Sequence, residues 1–202
     1  MTTPSSMLFR FAVLLLALAS AGCGTSPKTQ LYALQASPVP QLDDGNRAES
    51  RLHVVIGPVT LPELVDRPQI VVLTGEHSVH ASDFNRWAEP LKAAFPRRLA
   101  TDLARELKST RVRIQGQEGA GDADLRIDVD VLRFEAALGD FALVEAVWTL
   151  RRKGQPPRSG RSFVRERLTA DGYPALVAGL GRATAGVGHD LAGAIRELPQ
   201  ER

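Results

Sequence analysis

Cysteine is almost missing from the sequence, since Cys23 is the only one among 202 residues. One cysteine cannot form an internal disulfide, and it cannot supply the several thiolates of most structural zinc sites. The domain is therefore expected to fold without a disulfide framework. The position of Cys23 in the chain then matters more than the number of cysteines.

Aromatic residues are scarce as well, at 5% of the chain. A core built from this sequence must be mostly aliphatic, and too few rings are present to stack on bases. The charges nearly balance, with a formal net charge of +2, so no general binding of polyanions is expected. Together these two observations argue against a nucleic-acid partner.

Signatures of catalysis are missing too. The sequence has no Gly-x-Ser-x-Gly motif, and the glycine-rich residues 116–121 lack the Gly-Lys-Ser/Thr ending of a phosphate-binding loop. Asp128 and Asp130 share one face of a predicted strand, but they alternate with aliphatic residues as in an exposed sheet face. His77 and His80 are predicted to lie on opposite faces of a hairpin, which suits no metal. We predict no catalytic residue, metal or cofactor.

The amino-terminal residues have the order of a secretory signal. Arg10 precedes the apolar residues 11–19, and the small residues 20–22 lead directly to Cys23. The segment resembles a bacterial lipobox, although Ser20 stands where leucine is commonest. We predict a lipoprotein signal peptide over residues 1–22 and a covalent lipid on Cys23; the alternative is an ordinary secretory signal with an incidental cysteine.

The remainder divides into a tether, one domain and a short tail. Residues 23–29 are polar and turn-rich and are predicted to be a lipidated tether. Gly24 follows Cys23, where an aspartate would indicate retention in the inner membrane, so the usual sorting rule favours the outer membrane. Residues 30–198 are predicted to form one periplasmic domain, and residues 199–202 a tail.

Hydrophobic periodicity predicts the elements of that domain. Apolar residues spaced by about four predict two long amphipathic helices over residues 87–108 and 174–198, the first with a kink or break at Pro96. Alternation predicts strands; its phase changes after Val131, which indicates either a bulge or a sheet end that becomes covered on its other side. The predicted strands are residues 30–36, 51–59, 69–74, 78–81, 111–114, 124–131, 141–150 and 161–168. The expected fold is α+β, a single domain in which a mostly antiparallel β-sheet is covered by two long helices.

Two segments carry a family resemblance. They are IGPVTLPELVDRPQIVV, at residues 56–72, and NRWAEPL, at residues 85–91. In this order and separation they resemble the PqiC-type ABC-transport auxiliary lipoproteins. The resemblance implies an outer-membrane-anchored periplasmic lipoprotein that works with an MCE-domain subunit in lipid transport. It also makes a homo-oligomer plausible.

The same segments contain the candidate partner-binding residues Asp66, Arg67, Arg86, Trp87 and Glu89. A structural interpretation is that Trp87 covers the core while an arginine pairs with Asp66 or Glu89 to hold loop against helix. A functional interpretation is a docking surface for the transporter subunit or a neighbouring copy, because arginine and tryptophan are typical interface anchors.

A second candidate is a cluster of cations around one predicted hairpin end, formed by Arg151, Arg152, Lys153, Arg158 and Arg161. Such a cluster is commonly a solvated turn. If it points at a membrane, such as the inner leaflet of the outer membrane, or at lipopolysaccharide, each cation would contribute about 1 kcal/mol of attraction to an anionic surface.

Three functions remain open from the sequence. The leading hypothesis is a non-catalytic accessory lipoprotein of an MCE/ABC-type intermembrane lipid transport system that supports envelope integrity. The second is a structural envelope lipoprotein that binds cell wall or assembly machinery without transporting lipid. The third, a periplasmic hydrolase, would depend on Asp128 or Asp130.

Overall fold

A computed structural model describes residues 28–35 and 52–199. The predicted signal peptide, Cys23, most of the tether and residues 200–202 lie outside the described residues. The elements, in chain order, are β1 (Gln30–Tyr32), β2 (Val54–Thr60), β3 (Gln69–Gly75), β4 (Ser78–Trp87), α1 (Leu91–Leu107), β5 (Val112–Ile114), β6 (Leu125–Ala137), β7 (Phe141–Arg152), β8 (Arg158–Arg167) and α2 (Gly172–Arg196).

The strands form two mixed sheets, with orders β1-β4-β3 and β5-β2-β6-β7-β8. Strand β4 pairs in parallel with β1, and β2 pairs in parallel with both β5 and β6. The pairs β3–β4, β6–β7 and β7–β8 are antiparallel. An α+β fold is compatible with this arrangement, but the prediction of a mostly antiparallel sheet is wrong. The chain leaves β2, passes through β3, β4 and α1, and returns as β5; such a crossover brings a strand back in the same direction.

The core lies between the five-stranded sheet and the two helices. Helix α1 contacts β2 and β5, α2 contacts β6, β7 and β8, and the helices contact each other. The predicted stripe of α1 is buried at Leu91, Phe95, Leu99 and Leu103, each at most 1% exposed. The helix runs without a break through Pro96. No helix within residues 28–35 and 52–199 is long and apolar enough to cross a bilayer.

The start of α1 differs from the sequence prediction. Trp87 continues the four-residue spacing of the helix stripe, yet it is the last residue of β4, and α1 begins at Leu91. Pro90, the residue before the helix, has an extended ψ of 132°. Trp87 is 6% exposed, because a strand end that runs towards the same core can bury a side chain as well as a first helical turn can.

The phase change after Val131 comes from a bulge in β6, which is one of the two explanations that the sequence left open. The register of β6 against β7 shifts between Val131 and Arg133. As a result Leu132 is 42% exposed, while Phe134 and Ala136 return to the core at 3% and 1%. One extra residue restores the apolar side chains to the helix-covered face.

Candidate partner-docking site

A loop and a strand end are brought together beside α1. In the loop before β3, the amide of Val65 donates to the carbonyl of Pro62 at 3.1 Å. Val65 itself is buried at 7% and anchors the loop in the core. At the end of β4, the amide of Trp87 donates to the carbonyl of Pro68 at 2.7 Å. The amide of Ala88 donates to the backbone carbonyl of Tyr32, also at 2.7 Å. These backbone bonds fix the loop next to the β4–α1 connection.

A cleft of about 410 Å³ lies between the two segments, lined by residues 66–68 and 87–90. Four of the five candidate partner-binding residues therefore meet at one place: Asp66, Arg67, Trp87 and Glu89. The lining combines apolar residues, which are two prolines, an alanine and a tryptophan, with the charged residues Asp66, Arg67 and Glu89. A mixture of apolar and charged surface suits a protein partner.

The two carboxylates of the cleft are already engaged. Lys92 in the first turn of α1 pairs with Asp66 at 2.5 Å. This hydrogen bond, with the negative charge of Asp66, raises the pKa of Lys92. Arg97 pairs with Glu89. The carboxylates thus hold the loop and the connection against α1, and neither has the freedom expected of an acid–base group.

Arg67 has a different situation. Its side chain is exposed, and it makes no ion pair with any residue in the described part of the chain. It therefore supplies the cleft's uncompensated charge, available for a carboxylate on a partner. The cleft can accordingly receive an apolar side chain that has an acidic group nearby.

Trp87 lines the cleft and also belongs to the core. Its ring lies 6.3 Å from that of Phe134, centroid to centroid, and Phe134 meets Phe95 edge-on at 6.1 Å. Arg86 does not line the cleft. It is half-buried and aligned between Leu31 and Gln69 in the three-stranded sheet. The structure therefore separates Arg86 from the other four residues.

The predicted cation cluster at the β7–β8 hairpin is largely neutralised. Arg151 pairs with Asp128 at 2.8 Å, Arg158 pairs with Glu197 at 2.5 Å, and Arg161 pairs with the buried Glu145. Arg152 donates to the carbonyl of Pro199 at 2.7 Å. Lys153 is exposed and has no ion pair within residues 52–199. The hairpin end thus presents much less free positive charge than the sequence indicated.

The two aspartates considered for catalysis lie on the open face of the five-stranded sheet. Asp128 accepts a hydrogen bond from Arg151 on the neighbouring strand at 2.8 Å, and Asp130 accepts one from Thr60. Across the described residues, no three His, Cys, Asp or Glu side chains cluster so as to hold a metal. The absence of a catalytic or metal site stays a prediction.

Sequence reasoning missed a buried ion pair within α1, on the side of this helix that faces α2. Arg98 is 6% exposed and Asp102 is 3% exposed. The Arg98 Nε donates to Asp102 Oδ2 at 2.5 Å, and its two terminal nitrogens donate to the carbonyls of Gln35 and Gly181. Burial raises the pKa of Asp102 despite the nearby guanidinium. Both residues lie next to the apolar stripe of α1, which is the signal that could have identified them.

Comparisons with known proteins give the chain's relatives. Residues 32–192 match the model of a family described as the ABC-type transport auxiliary lipoprotein component. The intermembrane transport lipoprotein PqiC of Escherichia coli strain K12 is 26% identical over 195 residues, which cover 94% of this chain and 99% of the relative. PqiC of Shigella flexneri matches to the same extent.

Two solved structures share the fold. A crystal structure of an uncharacterized protein superimposes with a TM-score of 0.68 at 18% identity, covering 84% of this chain and 99% of the other. Protein XCC0632 from Xanthomonas campestris gives a TM-score of 0.63 at 18% identity, covering 83% of this chain and 94% of its own. At this level of identity the likeness concerns the fold alone.

Proposed function

Because the chain belongs to the family of ABC-type transport auxiliary lipoprotein components, we propose that it is a non-catalytic accessory lipoprotein of an intermembrane lipid transport system. Its anchor is Cys23, acylated and inserted in the inner leaflet of the outer membrane. Its partner is the MCE-domain periplasmic subunit of that system. The observation that carries the proposal is the family match over residues 32–192, supported by the similarity to intermembrane transport lipoproteins over nearly the whole chain.

The cleft between residues 66–68 and 87–90 is the docking site in this proposal. It combines a rigid frame with a free cation, since backbone bonds and two ion pairs fix its walls while Arg67 remains exposed. A pre-formed site loses little conformational entropy when a partner binds. A partner could place an apolar side chain in the cleft and, at the same time, pair a carboxylate with Arg67.

Affinity capture of the full-length lipoprotein from its own membranes tests this function. Wild-type protein should recover an MCE-domain subunit. Ala88→Arg, which places a long side chain in the cleft, and Arg67→Glu, which reverses the free charge, should each reduce that recovery by at least about tenfold, as loss of an interface anchor does. Lys153→Glu makes the same charge reversal at an exposed site elsewhere and should bind like wild type.

The capture also separates the competing functions. Recovery of peptidoglycan or of outer-membrane assembly proteins, with no MCE subunit, would favour the structural envelope lipoprotein and overturn the transport proposal. Recovery of an MCE subunit that is insensitive to Ala88→Arg and Arg67→Glu would retain the function but move the docking site elsewhere.

The anchor is tested separately. Cys23→Ser removes the thiol that would carry the lipid, and the protein should then move from the membrane fraction to the soluble periplasmic fraction. Metabolic labelling with a fatty acid should mark the wild type and leave the variant unlabelled. Firm membrane retention of the variant, or an unlabelled wild type, would remove the lipoprotein premise.

A further inference from the structure

Strand β8 is an open edge of the five-stranded sheet. It lies last in the order β5-β2-β6-β7-β8, and within the described residues no further strand pairs with it. It covers ten residues without a proline, and its register against β7 contains no shift. Sheet edges are usually protected by shortness, a proline, a bulge or charged side chains, and β8 has only the last of these. The edge is therefore long and regular enough to accept another strand.

The outward backbone groups of β8 belong to alternate residues. The amide of Leu168 donates to the carbonyl of Asp140 at 2.8 Å. Because Arg167 is aligned with Phe141, this bond continues the β7–β8 ladder. In an antiparallel ladder the even-numbered residues of β8 then bond to β7, and the odd-numbered residues direct their N–H and C=O groups outward. The carbonyl of Arg167 agrees with this, since it accepts from Arg182 of α2 at 3.4 Å. The other outward groups are those of Ser159, Arg161, Phe163 and Arg165.

The side chains of these outward residues lie on the open face of the sheet. Val164 is next to Gly186 of α2, so its neighbours along the strand face away from the helices. Phe163 is 57% exposed, and an arginine stands two positions from it on either side. All charged residues among the outward positions are arginines. The edge thus presents an exposed aromatic ring between cations.

Two of these arginines are available to a partner. Arg161 is already paired with the buried Glu145. Arg165 approaches Asp140 only to 3.8 Å, and both side chains are more than half exposed, so this pair contributes little. Its guanidinium lies 4.1 Å from the ring centroid of Phe141, which holds it in place. Arg167 is exposed and makes no ion pair in the part of the chain that the structure describes.

We propose that β8 binds an extended acidic segment of a partner protein, which adds to the sheet as a further antiparallel strand. The outward backbone groups select an extended chain, and the arginines select one with carboxylates on the face it shares with Phe163. A second copy of β8 is disfavoured, because an antiparallel pair centred on Phe163 would place Arg161 of one copy opposite Arg165 of the other. This inference goes beyond the proposed function and concerns a different surface from the docking cleft.

The test uses the Cys23→Ser protein and, as the probe, the terminally blocked peptide Thr-Glu-Thr-Val-Thr-Glu-Thr. With valine opposite Phe163, its two glutamates face Arg161 and Arg165. Amide hydrogen exchange, measured residue by residue with nuclear magnetic resonance, should slow at these three positions when the peptide is added. It should stay unchanged at Ser162 and Val164, whose amides already bond to β7. This alternation is the signature of an added strand, and its absence on binding would overturn the proposal.

Two matched peptides separate the backbone contribution from the charge contribution. A peptide N-methylated at its valine keeps both charges but loses the donor opposite Phe163, and it should bind at least about tenfold more weakly. A peptide with lysine in place of both glutamates should also bind at least about tenfold more weakly, because like charges then stand opposite each other. Equal binding of the N-methylated peptide would overturn strand addition, and equal binding of the lysine peptide would overturn the acidic assignment.

Variants of the protein locate the site. Arg165→Glu should weaken binding of the acidic peptide about fivefold, since it places a carboxylate opposite a glutamate. Arg113→Glu is the matched control: this exposed arginine lies on β5, the opposite and much shorter edge of the same sheet, and its reversal should leave binding unchanged. Equal losses in the two variants would overturn the site, as would no binding by the folded wild type.

Self-association is the remaining outcome. A concentration-dependent dimer that protects the outward amides of β8 without any peptide would assign the edge to a second copy and overturn the acidic segment. Because no MCE subunit or membrane is present in these measurements, failure here is distinguishable from failure of the capture and anchor experiments.

Discussion

Replacing Arg98 with leucine should destabilise the domain strongly, because this guanidinium connects three segments. It neutralises Asp102 on its own helix, and it donates to Gly181 on α2 at 2.7 Å and to Gln35 in the segment after β1. The carboxylate of Asp102 would remain buried, with Arg105 no closer than 3.7 Å. The substitution therefore removes the main counter-ion and leaves acceptors unsatisfied.

The expected loss follows from these contacts. Removal of one partner from a buried ion pair costs about 3–5 kcal/mol, and the buried carbonyl of Gly181 left without its donor adds about 1–3 kcal/mol. Burial of the new leucine side chain returns about 2 kcal/mol. We expect Arg98→Leu to lower the free energy of unfolding by about 4 kcal/mol. Urea denaturation of the Cys23→Ser protein, followed by circular dichroism, measures this quantity.

Two further variants make the reasoning refutable. The pair Arg98→Leu with Asp102→Leu removes both charges and should recover at least about half of the loss, since the uncompensated carboxylate is gone. Arg97→Leu removes a neighbouring arginine whose side chain is 50% exposed, and it should cost less than about 1 kcal/mol. If Arg98→Leu cost no more than Arg97→Leu, the buried contacts would not have the assigned importance.

The pH dependence gives an independent check on the same pair. Burial raises the pKa of Asp102 in the folded protein, so its contribution to stability is complete below the ordinary carboxyl pKa and is lost as pH rises through the raised value. Without Arg98 the folded-state pKa should rise further. The destabilisation by Arg98→Leu should therefore shrink as the solution is acidified from neutral pH, and a loss that grows on acidification would contradict the assignment.

Two other substitutions test the core. Gly160→Ala places a Cβ atom 2.2 Å from the ring of Trp148, so it should lower the free energy of unfolding by about 1–3 kcal/mol through overpacking; a smaller substituent at Trp148 should relieve part of that cost. Phe134→Ala removes the ring between Trp87 and Phe95 and should cost about 3–5 kcal/mol, with a change in tryptophan fluorescence; unchanged stability in urea would refute the aromatic contact.

Local patterns predicted those elements whose order is set by neighbouring residues. The alternation that begins at Leu125 predicts β6, and the phase change after Val131 indicates a bulge or a newly covered sheet end, because the face on which a strand side chain lies follows from its position in the sequence. The hairpin predicted around His77 and His80 is found as β3–β4, because its two strands are neighbours in the sequence. The parallel pairing of β2 with β5 and β6 could not be read this way, since a crossover selects those partners in space.

The candidate site shows the same division. The sequence singled out Asp66, Arg67, Trp87 and Glu89, but it could not bring them together, because the register that aligns Gln69 with Arg86 includes a shift between positions 69 and 71. The lysine and arginine that pair with the two carboxylates lie on the helix that follows. Their role depends on where α1 begins. The apolar spacing predicted a start at Trp87, whereas the helix begins at Leu91.

The position of β1 limits how far the domain can stand from a membrane. About seven residues separate Cys23 from Gln30, where the chain is fixed alongside β4, and an extended peptide covers at most roughly 3.5 Å per residue. With Cys23 acylated, the segment between the lipid anchor and β1 is therefore roughly 25 Å long at most. The backbone amide of Ala88, next to the cleft, donates to the carbonyl of Tyr32 at the end of β1. With the proposed anchor in the outer membrane, a docking partner from the inner membrane would have to cross almost the whole periplasm, since this protein would cover only the last short stretch.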